Sequence, residues 1–252
     1  MRARLVVFPI RGKIWCFSRS IDQSASQFNS TNTPSTVKDL WKKISSNPNP
    51  INANAELLVD FISDKMNNAW AGLEKAPEGS FKNKLHGIGL QLLARVKPSE
   101  ILLKSITKEV TNVRIAYPSS FNARLVRRRL RQIALRGTVI HRKYFYGSVT
   151  LLPLTTTLAV LPLPNIPFFW VLFRSYSHWR ALQGSEKLLQ LVTDTSRAQQ
   201  CSSEVLEPSK ELEELVRSGH DDNGSVNEKA ISDICIKFRL NKNDVLKWRD
   251  LM

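Results

Sequence analysis

The sequence predicts a mainly α protein built around a proline-broken hydrophobic helical hairpin in a membrane. Three observations carry that expectation. Gly147 to Phe173 contains no charged residue and no histidine, and an uncharged stretch of that length is a membrane candidate. Asn122 to Lys143, rich in bases and free of acids, leads straight into it. Upstream, apolar residues recur at helical spacing.

The 252 residues suffice for one or two domains, and 42% hydrophobic residues is too few for a transporter with many spans. Thirty-seven Lys and Arg against 22 Asp and Glu give a net charge of +15. That excess favours anionic partners, either phospholipid or nucleic acid. The three cysteines, Cys16, Cys201 and Cys235, form no CxxC pair. They argue against a disulfide framework or a zinc site and for a reducing compartment.

Taken in order, residues 1–50 read as a transit-like, disordered start. Arg2, Arg4, Arg11, Lys13 and Arg19 stand among serines with Asp22 the sole acid of residues 1–30, the composition of an organelle transit peptide. A disordered basic tail is the alternative. In either case the segment is expected outside the fold, with 23–36 as a polar linker. Residues 51–192 form the main helical region. Asn54 can cap a helix carrying Leu57, Leu58, Phe61, Ile62, Met66, Ala69, Trp70 and Leu73. Ser80 opens a second helix ending before Pro98, and Glu100 to about Val113 is expected as a third.

From Asn122 to Lys143 the pattern is a basic amphipathic helix with Leu125, Val126, Leu130, Ile133 and Ala134 on its apolar side. Such a helix suits anionic lipid, nucleic-acid phosphates or plain solvent. Its position before the apolar stretch favours lipid, with Arg127, Arg128, Arg129 and Arg131 facing the headgroups.

Pro153, Pro162, Pro164 and Pro167 interrupt the apolar stretch. Two arms result, about 144–161 and about 166–182, joined by a turn at Pro162, Pro164, Asn165 and Pro167. Each arm would be about 26 Å long if helical, slightly short of a hydrocarbon core. Thr155, Thr156 and Thr157 can bond back to carbonyls freed near Pro153. Bases flank both arms, which places both ends on one side of a membrane. The central hairpin of a packed core is the alternative reading of the same run. Residues 193–224 read as a linker holding one short helix. Residues 225–252 read as two short helices, possible cap Ser225, with a turn at Leu240 to Lys242.

Pro162 to Leu189 combines a Pro-Asn-Ile-Pro turn, an aromatic run, Arg174, Ala181, Gly184 and Leu188. Trp70 to Leu73, Ser80 to Gly87, Leu92 to Arg95 and Glu100 to Ile106 add further pieces in order. Together they resemble the mitochondrial potassium–proton exchange-related family over about residues 55–192. The resemblance implies a mitochondrial inner-membrane protein linked to potassium–proton exchange and cation homeostasis.

Proton-coupled transport needs an ionisable group inside the membrane, and Gly147 to Phe173 has none. The nearest groups are His141, His178, Arg174 and Arg180. Arg174, His178, Arg180 and Gly184 are the candidate functional residues, with Arg174 foremost because it follows the apolar segment directly. Two short arms cannot enclose an ion path. The expected role is therefore an accessory or regulatory subunit, in an oligomer or larger inner-membrane complex with anionic lipid around it. The competing readings are a basic matrix protein binding RNA or ribosomes, and a structural scaffold; nucleic acid is the weaker partner. The four histidines are scattered along the chain, and no phosphate loop, HExxH or GxSxG occurs. No enzyme activity, catalytic residue, cofactor or metal is expected.

Overall fold

The computed structural model describes residues 2–12, 14–21, 36–46, 68, 71–72, 74–77, 79–156, 166–193, 204–220 and 225–250. They form two compact units, one of residues 1–21 with 97–252 and one of residues 22–96. The smaller unit contributes α1 (Val37–Ser46) and α2 (Phe81–Ala94). Asn54, Leu57, Leu58, Phe61, Ile62, Met66, Ala69, Trp70 and Leu73 of the expected first helix lie outside the described residues.

The larger unit is organised by a four-stranded mixed sheet, and this overturns the mainly α expectation. Its strands are β1 (Arg2–Arg11), β2 (Ile14–Arg19), β3 (Asn112–Pro118) and β4 (Glu204–Ser209), in the order β2-β1-β3-β4. The segment expected outside the fold thus supplies two of the four strands, one of them central. Arg2 and Arg4 alternate with Ala3 and Leu5, a period of two, and Leu5, Val6, Val7 and Phe8 are buried without a break. An uninterrupted apolar run belongs to a strand covered on both faces. Gly12, at φ 50°, opens the turn into antiparallel β2. β3 and β4 then add in parallel, setting Leu5, Ile115 and Leu206 side by side.

The third expected helix stops early. α3 (Pro98–Ser105) carries its proline in the first turn, where no donor is lost. Beyond it, Val113, Ile115 and Tyr117 alternate with Asn112, Arg114 and Ala116, the pattern of β3. β4 likewise emerges from the expected linker at 193–224. α6 (Lys210–Ser218) follows at once, capped by Ser209 Oγ, which accepts from the Leu212 amide.

α4 (Ala123–Thr156) and α5 (Ile166–Thr193) pack on each other between β3 and β4. The basic helix and the first arm as far as Thr156 are therefore one helix of 34 residues, and residues 157–161 of that arm lie outside the described residues. Asn122 Oδ1 caps it through the Arg124 amide at 2.9 Å. Near Pro153, Thr155 Oγ1 donates to the Leu152 carbonyl and Thr156 Oγ1 to the Pro153 carbonyl, whereas the carbonyl that the proline deprives of its donor is that of Val149.

This pair does not make the expected membrane hairpin. Among the described residues no helix is long and apolar enough to cross a membrane. The physical reason is where the polar residues go. Val126, Leu130 and Ala134 of α4 enter the protein core rather than lipid. On α5 the uncharged run ends at Phe173, and Arg174, Ser177 and His178 turn into the protein. Pro162, Pro164 and Asn165 of the expected turn, with Thr157, lie outside the described residues, and Pro167 falls in the first turn of α5.

Two final helices, α7 (Glu228–Phe238) and α8 (Lys242–Arg249), appear where the sequence places them. Asn227, rather than Ser225, caps α7. They belong to the main core. Ser20 Oγ donates to the Phe238 carbonyl, the Val226 amide donates to the Ile10 carbonyl, and Trp248 meets the Phe17 ring.

Candidate functional site

α5 turns its residues 174, 177, 178, 181, 184, 185 and 188 toward its neighbours at three- and four-residue steps. Most are small, so α3 approaches closely. A methyl group at Gly184 would overlap the Leu103 carbonyl oxygen, and one at Gly137 of α4 would overlap the Leu103 side chain. Gly184 is thus a contact surface for the end of α3.

That close approach brings Glu100 of α3 onto α5. Arg174 Nη1 donates to Glu100 Oε1 at 3.0 Å and Nη2 donates to Oε2 at 3.3 Å, a two-pronged ion pair. Ser177 Oγ donates to the same Oε1 at 2.6 Å. Arg174 Nη2 also lies 3.0 Å from His178 Nε2, and His178 Nδ1 lies 3.1 Å from His141 Nδ1 on α4. Glu100, Ser177, His178 and His141 are all buried, and the Tyr144 ring stacks on His178. The result is one polar chain across three helices.

The protons in this chain are fixed by one group. A guanidinium only donates, so His178 Nε2 must accept. Neutral His178 then carries its proton on Nδ1 and gives it to His141 Nδ1, leaving His141 protonated on Nε2. The surroundings keep both rings neutral. Burial, then the Arg174 charge, lowers His178 to about 4. Burial also lowers His141, with Arg174 and Lys104 adding repulsion against the opposing pull of Glu100. Burial alone would raise the Glu100 carboxyl, but the Ser177 hydrogen bond and Arg174 outweigh it and hold it below the ordinary carboxylate range. Burial lowers Lys104, whose ammonium lies 5.5 Å from the Phe173 ring centre.

Glu100, His141 and His178 have the donor types of a metal centre, with ligand atoms within 4.8 Å of one another. Arg174, however, already occupies the cation position. It bonds both carboxylate oxygens and the free lone pair of His178, and a metal there would have to displace it. The site is better described as an internal ion pair extended by two neutral histidines. Its serine hydroxyl, Ser177 Oγ, is turned onto Glu100 Oε1. Of the described thiols, Cys16 and Cys235 are buried and free, and burial raises both, Cys235 to about 11.

Of the residues singled out by sequence, Arg174 and His178 are brought together as the centre of this chain. Arg180 is half-buried on α5, its charge acting against that of Lys104. The four arginines expected at a lipid surface divide. Arg127 pairs with Glu204 of β4 at 2.8 Å, and the Arg129 guanidinium lies 3.9 Å from the Trp15 ring centre. Arg128 and Arg131 are exposed. The sequence reading left out Glu100, Ser177 and Lys104, and counted the histidines as scattered where the fold joins two of them. The available signal was Glu100 itself, an acid at the head of a short helix whose next turn is Ile-Leu-Leu.

Fold and site together define a mixed α/β protein with a charged network buried between long helices. The family is settled by comparison. Residues 4–192 match the mitochondrial K+-H+ exchange-related family, and the chain belongs to it. It is accordingly a mitochondrial protein. The match begins inside β1 and ends within α5, so it takes in β1, β2 and β3 with the helices up to α5, and leaves out β4 and α6 to α8. An uncharacterized protein of Schizosaccharomyces pombe is 38% identical over 73 residues, covering 29% of this chain and 32% of its own. An uncharacterized protein of Saccharomyces cerevisiae is 23% identical over 171 residues, 63% of this chain and 51% of its own. The chain thus spans between about a third and about half the length of these curated relatives. No solved structure matches.

Proposed function

We propose that this protein is an accessory or regulatory component of mitochondrial K+–H+ exchange at the inner membrane, and not the exchanger. One observation carries the reading. Its ionisable groups between long helices, Glu100, Arg174, His178 and His141, close on one another, and no described helix is long and apolar enough to cross a membrane. An exchanger needs an ionisable group that faces an ion path enclosed by spans. Here the carboxylate is held by Arg174 and Ser177, which makes it a structural anion. The protein therefore acts within a larger complex, and the reading includes no enzymatic step.

The test has two arms. Mitochondria lacking the protein are expected to swell abnormally in potassium salts, and normal swelling would remove the link to exchange. The purified chain in liposomes is expected to show no K+–H+ exchange, and exchange by the chain alone would make it the exchanger.

A further inference from the structure

The buried residues of α4 up to the ionic site are Val126, Leu130, Ala134, Gly137 and His141. Positions two residues away lie across the helix, about 200° round. Arg128, Leu135 and Val139 stand there, and three- and four-residue steps carry the same row through Arg131, Tyr146 and Val149 on its edge. All six are exposed, Val139 by 70% and Tyr146 by 63%. The protein therefore has a second stripe, turned away from its packed one, basic at the start and apolar at the end. No acid occurs anywhere in α4; Glu186 of α5 bonds Arg142 at 3.0 Å, and Glu204 is taken by Arg127. Beside the stripe lies a shallow groove of about 500 Å³ lined by Arg131, Leu135, Arg142 and Leu189 among others.

We propose that this stripe docks on the surface of an anionic phospholipid bilayer without crossing it. The proposal rests on the inner-membrane placement above and gives it a contact surface. Nucleic acid would use the bases but has no use for Leu135, Val139 and Val149. A bilayer surface uses both: bases meet phosphates, and apolar side chains enter the headgroup boundary to about 5–10 Å. The order along the helix fits one orientation. The last bases of α4 are Arg142 and Lys143, and from Tyr144 to Thr156 no charge follows. The uncharged end then sits deeper and the basic end at the phosphates. This set differs from the one read from sequence, because Arg127 and Arg129 are bound within the protein.

The experiment is co-sedimentation of the full chain with vesicles of phosphatidylcholine alone or mixed with phosphatidylglycerol. Binding is expected with the mixed vesicles only, weakening as salt rises. Arg128→Gln with Arg131→Gln should weaken it about 30-fold, about fivefold for each base lost. Val139→Asp with Tyr146→Asp should abolish it while the circular dichroism and the unfolding midpoint stay native, since both side chains are exposed. Equal binding to neutral vesicles, undiminished binding by the double Asp variant, or retention on RNA with no vesicle binding would each overturn the proposal. Vesicle binding by the purified chain needs no exchanger. Normal potassium swelling without the protein would therefore sink the proposed function and leave the docking surface standing.

Discussion

Glu100→Gln removes one charge from the buried pair and leaves the shape nearly unchanged. The size of the effect follows from burial. The Glu100 side chain is 5% exposed and that of Arg174 22%. A solvent-exposed pair contributes at most about 1 kcal/mol, whereas breaking a buried one costs about 3–5 kcal/mol because it strands the remaining charge. Arg174 keeps some water, so the lower end applies, about 3 kcal/mol. Arg174→Met should cost a similar amount, since the carboxylate then keeps only Ser177. The double variant Glu100→Gln, Arg174→Met strands no charge and should cost well under the sum of the two single variants. The assay is urea unfolding followed by circular dichroism and tryptophan fluorescence, read as a double-mutant cycle. If each single variant costs under about 1 kcal/mol, or if the two costs simply add, then the pair does not hold α3 to α5 and the argument for a structural anion fails.

The remaining predictions test other parts of the same fold. His178 titrates near 4 in the fold and near 6.5 when unfolded, so the unfolded chain takes up its proton first. Stability is full above about pH 6.5 and falls as pH drops toward 4, by an upper bound of about 3 kcal/mol that screening reduces to about 1–2; a flat urea midpoint over that window would contradict the neutral ring. Gly184→Ala drives a methyl group into the Leu103 carbonyl oxygen, which should cost about 1–3 kcal/mol and lower the thermal midpoint; an unchanged midpoint would mean α3 does not sit there. Deleting residues 1–21 removes β1 and β2, one of them central, and should yield no cooperative unfolding transition. A truncated chain that unfolds cooperatively would show that the sheet does not depend on them.

The helices were legible because their signals are local. The periodicity of α4 and the Leu240–Lys242 turn between α7 and α8 both act within a few residues of themselves. The strands were not, because their meaning is long-range. Arg2, Arg4, Arg11 and Lys13 gave the N-terminus the composition of a leader, yet the alternation of Arg2 and Arg4 with Ala3 and Leu5 was there to be read. What composition cannot convey is that Leu5 has Ile115 as its neighbour. β4 is harder still. It is EVLEPS, with two acids and a proline, and becomes a strand only because β3 offers it a free edge.

The site shows the same division from the other side. Arg174 and His178 stand four residues apart on one helix face, and Arg174 stood out because it follows the apolar segment directly. Its actual partner, Glu100, lies 74 positions away. Sequence spacing within one helix says which side chains share a face, and it says nothing of what that face meets. Here the deciding residues are the small ones. Gly184 and Gly137 let the end of α3 lie against both long helices, and only at that separation can the Glu100 carboxylate reach Arg174 and Ser177. Once it does, Arg174 is consumed inside the protein, and the charge left for the proposed membrane contact is the exposed pair Arg128 and Arg131 on α4. The described parts of the uncharged stretch that looked like a pair of spans, 147–156 and 166–173, are then the ends of a helix pair anchored by its own ion pair.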